Sequence, residues 1–335
     1  MKVIDIIRTS SAPILSFEIT PPERGHGIEE IFRTIDVLMP FQPQFINVTY
    51  HQPQVEYVEE NQVIRRLHKR KKPGTVGICT AINHKYKVEP VPHLICGGFT
   101  KYETEDALID LQYLGIENLL ALRGDPPPGQ KKFIPESDGH HYAAGLVEQI
   151  ARMNRGFYLE PLDNAVPTDF CVGVAGYPER HFESPNFERD MQHLKHKVEC
   201  GADYIVSQMF FEYESFVRFR EHARDIGITV PILPGIKPVS RLSQMEMLPS
   251  LFHISIPDRL LRRMEETRTR QEEREAGMRY MAELLERLLQ ADVPGVHIYT
   301  MGKALDTRRL LEYVFGTQVD EAEEKRTYVT KKPVD

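Results

Sequence analysis

Apolar residues in this chain gather in short uninterrupted runs separated by amphipathic stretches. Eight runs read as strands: Ile14–Thr20, Phe45–Tyr50, Val76–Ile82, Asn118–Gly124, Phe170–Tyr177, Tyr204–Phe211, Pro231–Lys237 and Val296–Met301. Between them, helical spacing of apolar positions covers Ile28–Met39, Gln54–Arg70, Lys101–Leu114, Tyr142–Asn154, Phe187–Cys200, Tyr213–Ile226 and Arg241–Leu251. A charged helical pair follows over about Asp258–Gln290, and a last helix near Ala304–Phe315. Local punctuation agrees. Thr100 and Glu103 form a capping-box pair ahead of the stripe Ala107, Leu108, Leu111, Leu114, and Gly115 follows as a stop. Strands apolar on both faces, alternating with helices, belong to a parallel sheet buried on both sides. The expected fold is therefore α/β, a closed (β/α)8 TIM barrel in a single domain over 1–316, with extra helices near the C-terminus. An open doubly wound sheet would place a glycine-rich phosphate loop after the first strand, and Glu18-Ile-Thr-Pro-Pro22 stands there instead.

Composition narrows the function classes. At 335 residues, 41% hydrophobic and 27% charged, the chain is long enough for one large packed domain. A net charge of -7 argues against a polyanion-binding surface, so no nucleic acid is expected as a partner. Cys79, Cys96, Cys171 and Cys200 are far apart with no Cys-x-x-Cys pair, which fits thiols in a reducing compartment rather than a disulfide frame or a metal site. With neither an export signal nor an apolar run long enough to span a bilayer, the chain reads as cytoplasmic. The stretch after Gly316, 317–335, reads as a charged tail. The loops Asp125–Gly139 and Gly156–Asp169 are expected to border the site.

In such a barrel, chemistry sits at the C-terminal ends of the strands. Those ends are unusually polar here: Glu18, Thr49, Tyr50, Arg123, Gly124, Asp125, Tyr177, His181, Gln208, Lys237 and Tyr299, with His93 after the third run and Lys303 after the eighth. At Leu119–Gly129, for example, an apolar strand breaks off in Arg123, Gly124 and Asp125 ahead of three prolines, which cannot continue a ladder. Any one of these residues could be a capped strand end or a solvated side chain. Glu18 tells most. A carboxyl closing an apolar strand at a barrel mouth is partly desolvated, which raises its pKa toward a value useful for giving up a proton, unless a lysine or arginine pairs with it.

The segments Ser16-Phe-Glu-Ile-Thr-Pro-Pro22, Asn47-Val-Thr-Tyr50, Pro92-His-Leu-Ile-Cys96, Ala121-Leu-Arg-Gly-Asp125, Gly176-Tyr-Pro-Glu-Arg-His181, Gln208, Pro234-Gly-Ile-Lys-Pro-Val239 and His297-Ile-Tyr-Thr300 resemble methylenetetrahydrofolate reductase, in the same order and at compatible spacing. The resemblance runs from about Ile14 to Phe315 and is to the short bacterial form. It implies a flavoprotein in which NADH or NADPH reduces FAD, leaves, and is replaced by a folate substrate, 5,10-methylenetetrahydrofolate. It makes Glu18 the general acid and places Asp125 and Gln208 against the pterin. It puts Thr49, Tyr50, His93, Arg123, Gly124, Asp125, Ala143, Tyr177 and His181 around the flavin, with Asp190, His193, His196 and Lys197 on the fifth helix. Gln244 and Lys303 would reach the folate. A homo-oligomer is implied, and no metal.

Four positions depart from the family pattern: His193 and His196, where an Asn and an Arg are common, Lys303 in place of an Arg, and Leu248 in place of an aromatic residue. A lysine cannot reproduce the bidentate grip of arginine. Two other classes fit the same barrel: a Schiff-base or metal-dependent lyase using Lys237, and a folate- or flavin-binding barrel without turnover.

Overall fold

The computed structural model describes residues 1–60, 63–126, 130 and 132–316. Eight parallel strands close into a barrel in the order β1 (Ile14–Ile19), β10 (Gly295–Tyr299), β9 (Ile232–Ile236), β8 (Tyr204–Met209), β7 (Cys171–Gly176), β6 (Asn118–Leu122), β5 (Glu89–Ile95) and β2 (Phe45–Val48). Around it lie α2 (Glu29–Leu38), α3 (Thr75–Tyr86), α4 (Lys101–Tyr113), α5 (Ala143–Met153), α6 (Phe187–Glu199), α7 (Tyr213–Asp225), α8 (Gln244–Phe252), α9 (Asp258–Glu265), α10 (Arg270–Leu289) and α11 (Ala304–Phe315). The capping box at Thr100 and Glu103 opens α4, and Gly115 follows its end at φ +69°. The tail expected over 317–335 lies outside the described residues, and among those described no helix is long and apolar enough to cross a membrane.

Two elements differ from the sequence expectation. The third barrel strand is Glu89–Ile95, and Val76–Ile82 lies inside helix α3. Pro90 and Pro92 disguise the strand, because proline gives no N–H to a ladder and is rare inside sheets. Here they pair with Ile46 and Val48 of β2, while the residues after them pair with β6. The β-branched run Val76–Ile82 mimics a strand, yet it buries Ile78, Cys79 and Ile82 along one helical face. The helix expected over Gln54–Arg70 is an antiparallel hairpin, β3 (Gln54–Glu60) with β4 (Val63–Lys69). Its Val58, Ile64 and Leu67 remain exposed, so burial of these three does not reward a helix, and β-branched residues favour extended backbone.

The barrel interior is filled in layers. Near the N-terminal end Ile14, Phe45, Val91, Leu120, Cys171, Tyr204 and Leu233 pack together with Val3 and Ile4 of an N-terminal helix, α1 (Val3–Thr9). That helix closes the floor. Buried Asn118 accepts from the backbone N–H of Val3 and donates to the Met1 carbonyl. Glycine makes room where the large rings sit: a Cβ on Gly173 would meet the Tyr204 ring at 2.4 Å, and one on Gly235 the Tyr299 ring at 2.6 Å and the Ser207 carbonyl at 2.2 Å. The loop Gly156–Asp169 belongs to this floor side, since it returns the chain from α5 to the start of β7, and Asp169 pairs with Lys2. It does not border the cleft at the other end.

Candidate active site

Above the packed layers the C-terminal ends of the strands open into a cleft of about 1730 Å3. This exceeds the ~300–1,000 Å3 of an ordinary small-molecule pocket, so it has room for two ligands side by side. Glu18, Asp125 and Gln208, which come from β1, the turn after β6 and β8, all line it. So do Thr49, Tyr50, His93, Arg123, Gly124, Ala143, Tyr177, His181, Asp190, His193, His196 and Lys197.

Glu18 is the electrostatic centre of the cleft. Its side chain is 14% exposed, and burial alone raises its pKa from 4.5 to about 8. Among the described residues no lysine or arginine pairs with it. His93 Nε2 lies 3.5 Å from Glu18 Oε2. Distance alone would make this an ion pair, but burial drives both partners toward neutrality. It pulls His93 down to about 3 while pushing Glu18 up, and we assign a neutral imidazole beside a protonated carboxyl. Beneath them His297, fully buried and also pulled down to about 3 by burial, shares a 2.9 Å hydrogen bond with Ser16 Oγ. Tyr299 donates to the Ser207 carbonyl at 2.7 Å. Thr300 donates from Oγ1 to the Glu18 carbonyl at 2.6 Å, fixing the backbone under the acid.

Cationic groups and free backbone donors collect on another wall. The N-terminus of α5 opens at Ala143 with no side-chain cap, so its first N–H groups face a site where a phosphate is favoured. Arg123 pairs with Glu183 and lies 5.1 Å from the Phe133 ring centroid, which holds the guanidinium at the rim. Gly124, at φ +87°, lets the chain turn there. Lys197 reaches from α6 to the Ala175 carbonyl at 2.5 Å, and burial lowers its pKa to about 8. Asp190 braces the loop before α6, accepting from the His181 N–H at 3.0 Å and from Ser184 Oγ at 2.8 Å. Buried Thr49 Oγ1 has no hydrogen-bond partner among the described residues. Gln208 accepts from the Met209 N–H through Oε1, and among the described residues nothing accepts from its Nε2. The donors and the unpartnered hydroxyl fit an anionic ligand.

Three expected residues sit elsewhere. Gln244 is buried, its Oε1 accepting from the N–H groups of Ser240 and Arg241, so it organises the loop after β9 and does not line the cleft. Lys303 is exposed just outside the lining, at the start of α11. Leu248 is fully buried in the outer core, so its departure from an aromatic removes nothing from the cleft wall. Lys237 also lies outside the lining, 2% exposed and donating to the Pro238 carbonyl. In exchange, the cleft has apolar and aromatic lining that sequence reasoning missed: Phe182, Leu251, Phe252 and His253. Phe182 stacks between His181 and His253, with ring centroids 4.8 and 4.2 Å away. His51 and Gln52, before the hairpin, and Lys71 and Lys72, after it, complete another side.

The sequence model of methylenetetrahydrofolate reductase matches residues 2–314. The chain belongs to the methylenetetrahydrofolate reductase family. It is 31% identical over 291 residues to the 5,10-methylenetetrahydrofolate reductase of Salmonella typhimurium, covering 87% of this chain and 86% of that one. It is 30% identical over 314 residues to a probable methylenetetrahydrofolate reductase (NADH) of Oryza sativa, covering 90% of this chain but 48% of the rice protein. The chain thus spans about half the length of its plant relatives and most of the bacterial ones. A Clostridium thermocellum protein, described as binding two copies of 5-methyl-5,6,7,8-tetrahydrofolic acid, superposes with a TM-score of 0.54 at 16% identity. It covers 93% of this chain and 99% of its own, a likeness of fold.

Proposed function

We propose that this methylenetetrahydrofolate reductase family member converts 5,10-methylenetetrahydrofolate to 5-methyltetrahydrofolate, with FAD as resident cofactor and NADH or NADPH as reductant. One observation carries the reading: a buried carboxyl, pushed up to about 8 by desolvation, shares a single cleft with an amide, an acidic rim and a phosphate-favouring wall. When bound, FAD would supply a two-electron carrier between the two visitors. Thr49, Tyr50, His93, Ala143, Tyr177, His181, His193 and His196 would surround it. Arg123 and Lys197 would neutralise its pyrophosphate beside the α5 terminus. Asp190 would act at one remove by fixing the loop that carries His181.

Opening the imidazolidine ring of the folate needs a proton on the nitrogen that leaves. Glu18, protonated up to about pH 8, is suited to give it. Ring opening leaves a cationic iminium, and Asp125, exposed at the rim, would stabilise that charge. Gln208, with a free Nε2 donor, would orient the pterin and, in its absence, the nicotinamide amide. One cleft serving both visitors requires them to alternate, a ping-pong scheme. A visible spectrum tests the proposal. The purified protein should carry flavin absorbance that bleaches anaerobically with NADH or NADPH and returns on adding 5,10-methylenetetrahydrofolate. A colourless protein, or a bleached one that the folate leaves unchanged, would overturn it.

A further inference from the structure

Below the cleft floor, Asn47 is fully buried on β2, beside β1 and β5. Its Nδ2 lies 3.3 Å from His93 Nε2, the ring nitrogen that Glu18 Oε2 approaches at 3.5 Å. A neutral imidazole nitrogen offers either one N–H or one lone pair, never both. An amide nitrogen and a protonated carboxyl are both donors, so the two converge on one acceptor. We propose that Asn47 is a positioning residue for the proton on Glu18: its amide N–H occupies the Nε2 lone pair of His93 and so keeps that histidine from holding the Glu18 proton. This rests on Glu18 being the acid that serves the folate.

The consequence is directional. With its inner acceptor already engaged, the Glu18 hydroxyl is bound weakly on the barrel side and is released toward the cleft. Other titratable groups share this region: Tyr299 on β10 donates to the Ser207 carbonyl and keeps a phenol lone pair, and His297 meets Ser16 through Nδ1 while its Nε2 has no partner among the described residues. Tyr177 and His51 act from further out, through Tyr299 and His93 respectively.

Histidine labelled with 15N gives a readout that needs no substrate. In the wild-type holoenzyme at neutral pH, His93 should be neutral with its proton on Nδ1, and infrared spectroscopy should show Glu18 as a protonated carboxyl. A His93 protonated on Nε2, or cationic, overturns the proposal. In Asn47→Leu the Glu18 hydroxyl becomes the sole donor to that lone pair, which favours the protonated acid. The pH midpoint of Glu18 ionisation should then rise by about one unit or more, a tenfold change in ionisation ratio. The folate half-reaction should slow about tenfold or more, while bleaching by the nicotinamide keeps its rate. An unmoved midpoint in a folded Asn47→Leu overturns it as well. If the spectroscopic signatures hold and no folate is turned over, the functional reading fails and the proton arrangement stands.

Discussion

Keeping Glu18 buried should cost this protein stability, by an amount that depends on pH. An ordinary glutamate ionises near 4.5 and this one near 8, so between those values the folded state holds a proton that the unfolded chain releases. The sign follows: the protonated carboxyl's favourable contribution is fully present below about pH 4.5 and is lost as pH rises through about 8. Each tenfold in ionisation ratio is worth about 1.4 kcal/mol, so the full effect is about 5 kcal/mol, of which about 3 kcal/mol is expressed by pH 7. Glu18→Gln has nearly the same shape and carries no charge. Denaturant unfolding of both proteins across this pH range is the assay. The variant should match wild type below pH 4.5, gain steadily, and level off above pH 8 about 3–5 kcal/mol more stable. A difference that is constant with pH, or a variant less stable at pH 8, would refute a desolvated, protonated Glu18. Such a gain alongside lost activity is the pattern of a site kept strained for chemistry.

Other consequences are open to direct measurement. Asn118→Ala should unseat α1 by leaving the Val3 N–H without its acceptor, costing about 1–3 kcal/mol and speeding hydrogen exchange over residues 3–9; unchanged exchange would mean the floor is held by packing alone. Gly235→Ala should destabilise by about 1–3 kcal/mol, because the new methyl must displace the Tyr299 ring and the Ser207 carbonyl; a neutral result in unfolding experiments would show that the ring moves freely. Lys197, with its pKa lowered to about 8, should grip an anionic cofactor below that pH and release it above; flavin fluorescence titrations should show affinity falling through about pH 8 in wild type and staying flat in Lys197→Arg.

Most of the barrel could be read from the chain because a parallel sheet buried on both faces needs continuous apolar runs, and seven of its eight strands announce themselves that way. The eighth, Glu89–Ile95, is concealed by Pro90 and Pro92, whose compatibility with the ladder depends on which neighbours they meet. The hairpin after β2 was illegible for a different reason: with Val58 and Ile64 exposed, no burial pattern distinguishes helix from strand. At the site, strand ends marked Glu18, Arg123, Asp125 and Gln208 as neighbours, since barrel topology alone brings them to one rim. Phe182 left no comparable signal, because loops after strands carry no periodicity, and Phe252 and His253 end α8, where helical spacing alone does not say that they face the cleft. Gln244 and Lys303 were placed by resemblance, and only the path of the loops after β9 and β10 shows them outside the cleft lining.

The central claim is that one cleft serves two visitors in turn and that Glu18 provides the proton to only the second. Anaerobic stopped-flow spectroscopy of Glu18→Gln tests it most directly. Bleaching by the nicotinamide should keep its wild-type rate, while recovery of colour on adding 5,10-methylenetetrahydrofolate should fall by about 10²–10⁴-fold, the usual contribution of a general acid. Equal loss of both half-reactions, or recovery at the wild-type rate, would contradict it.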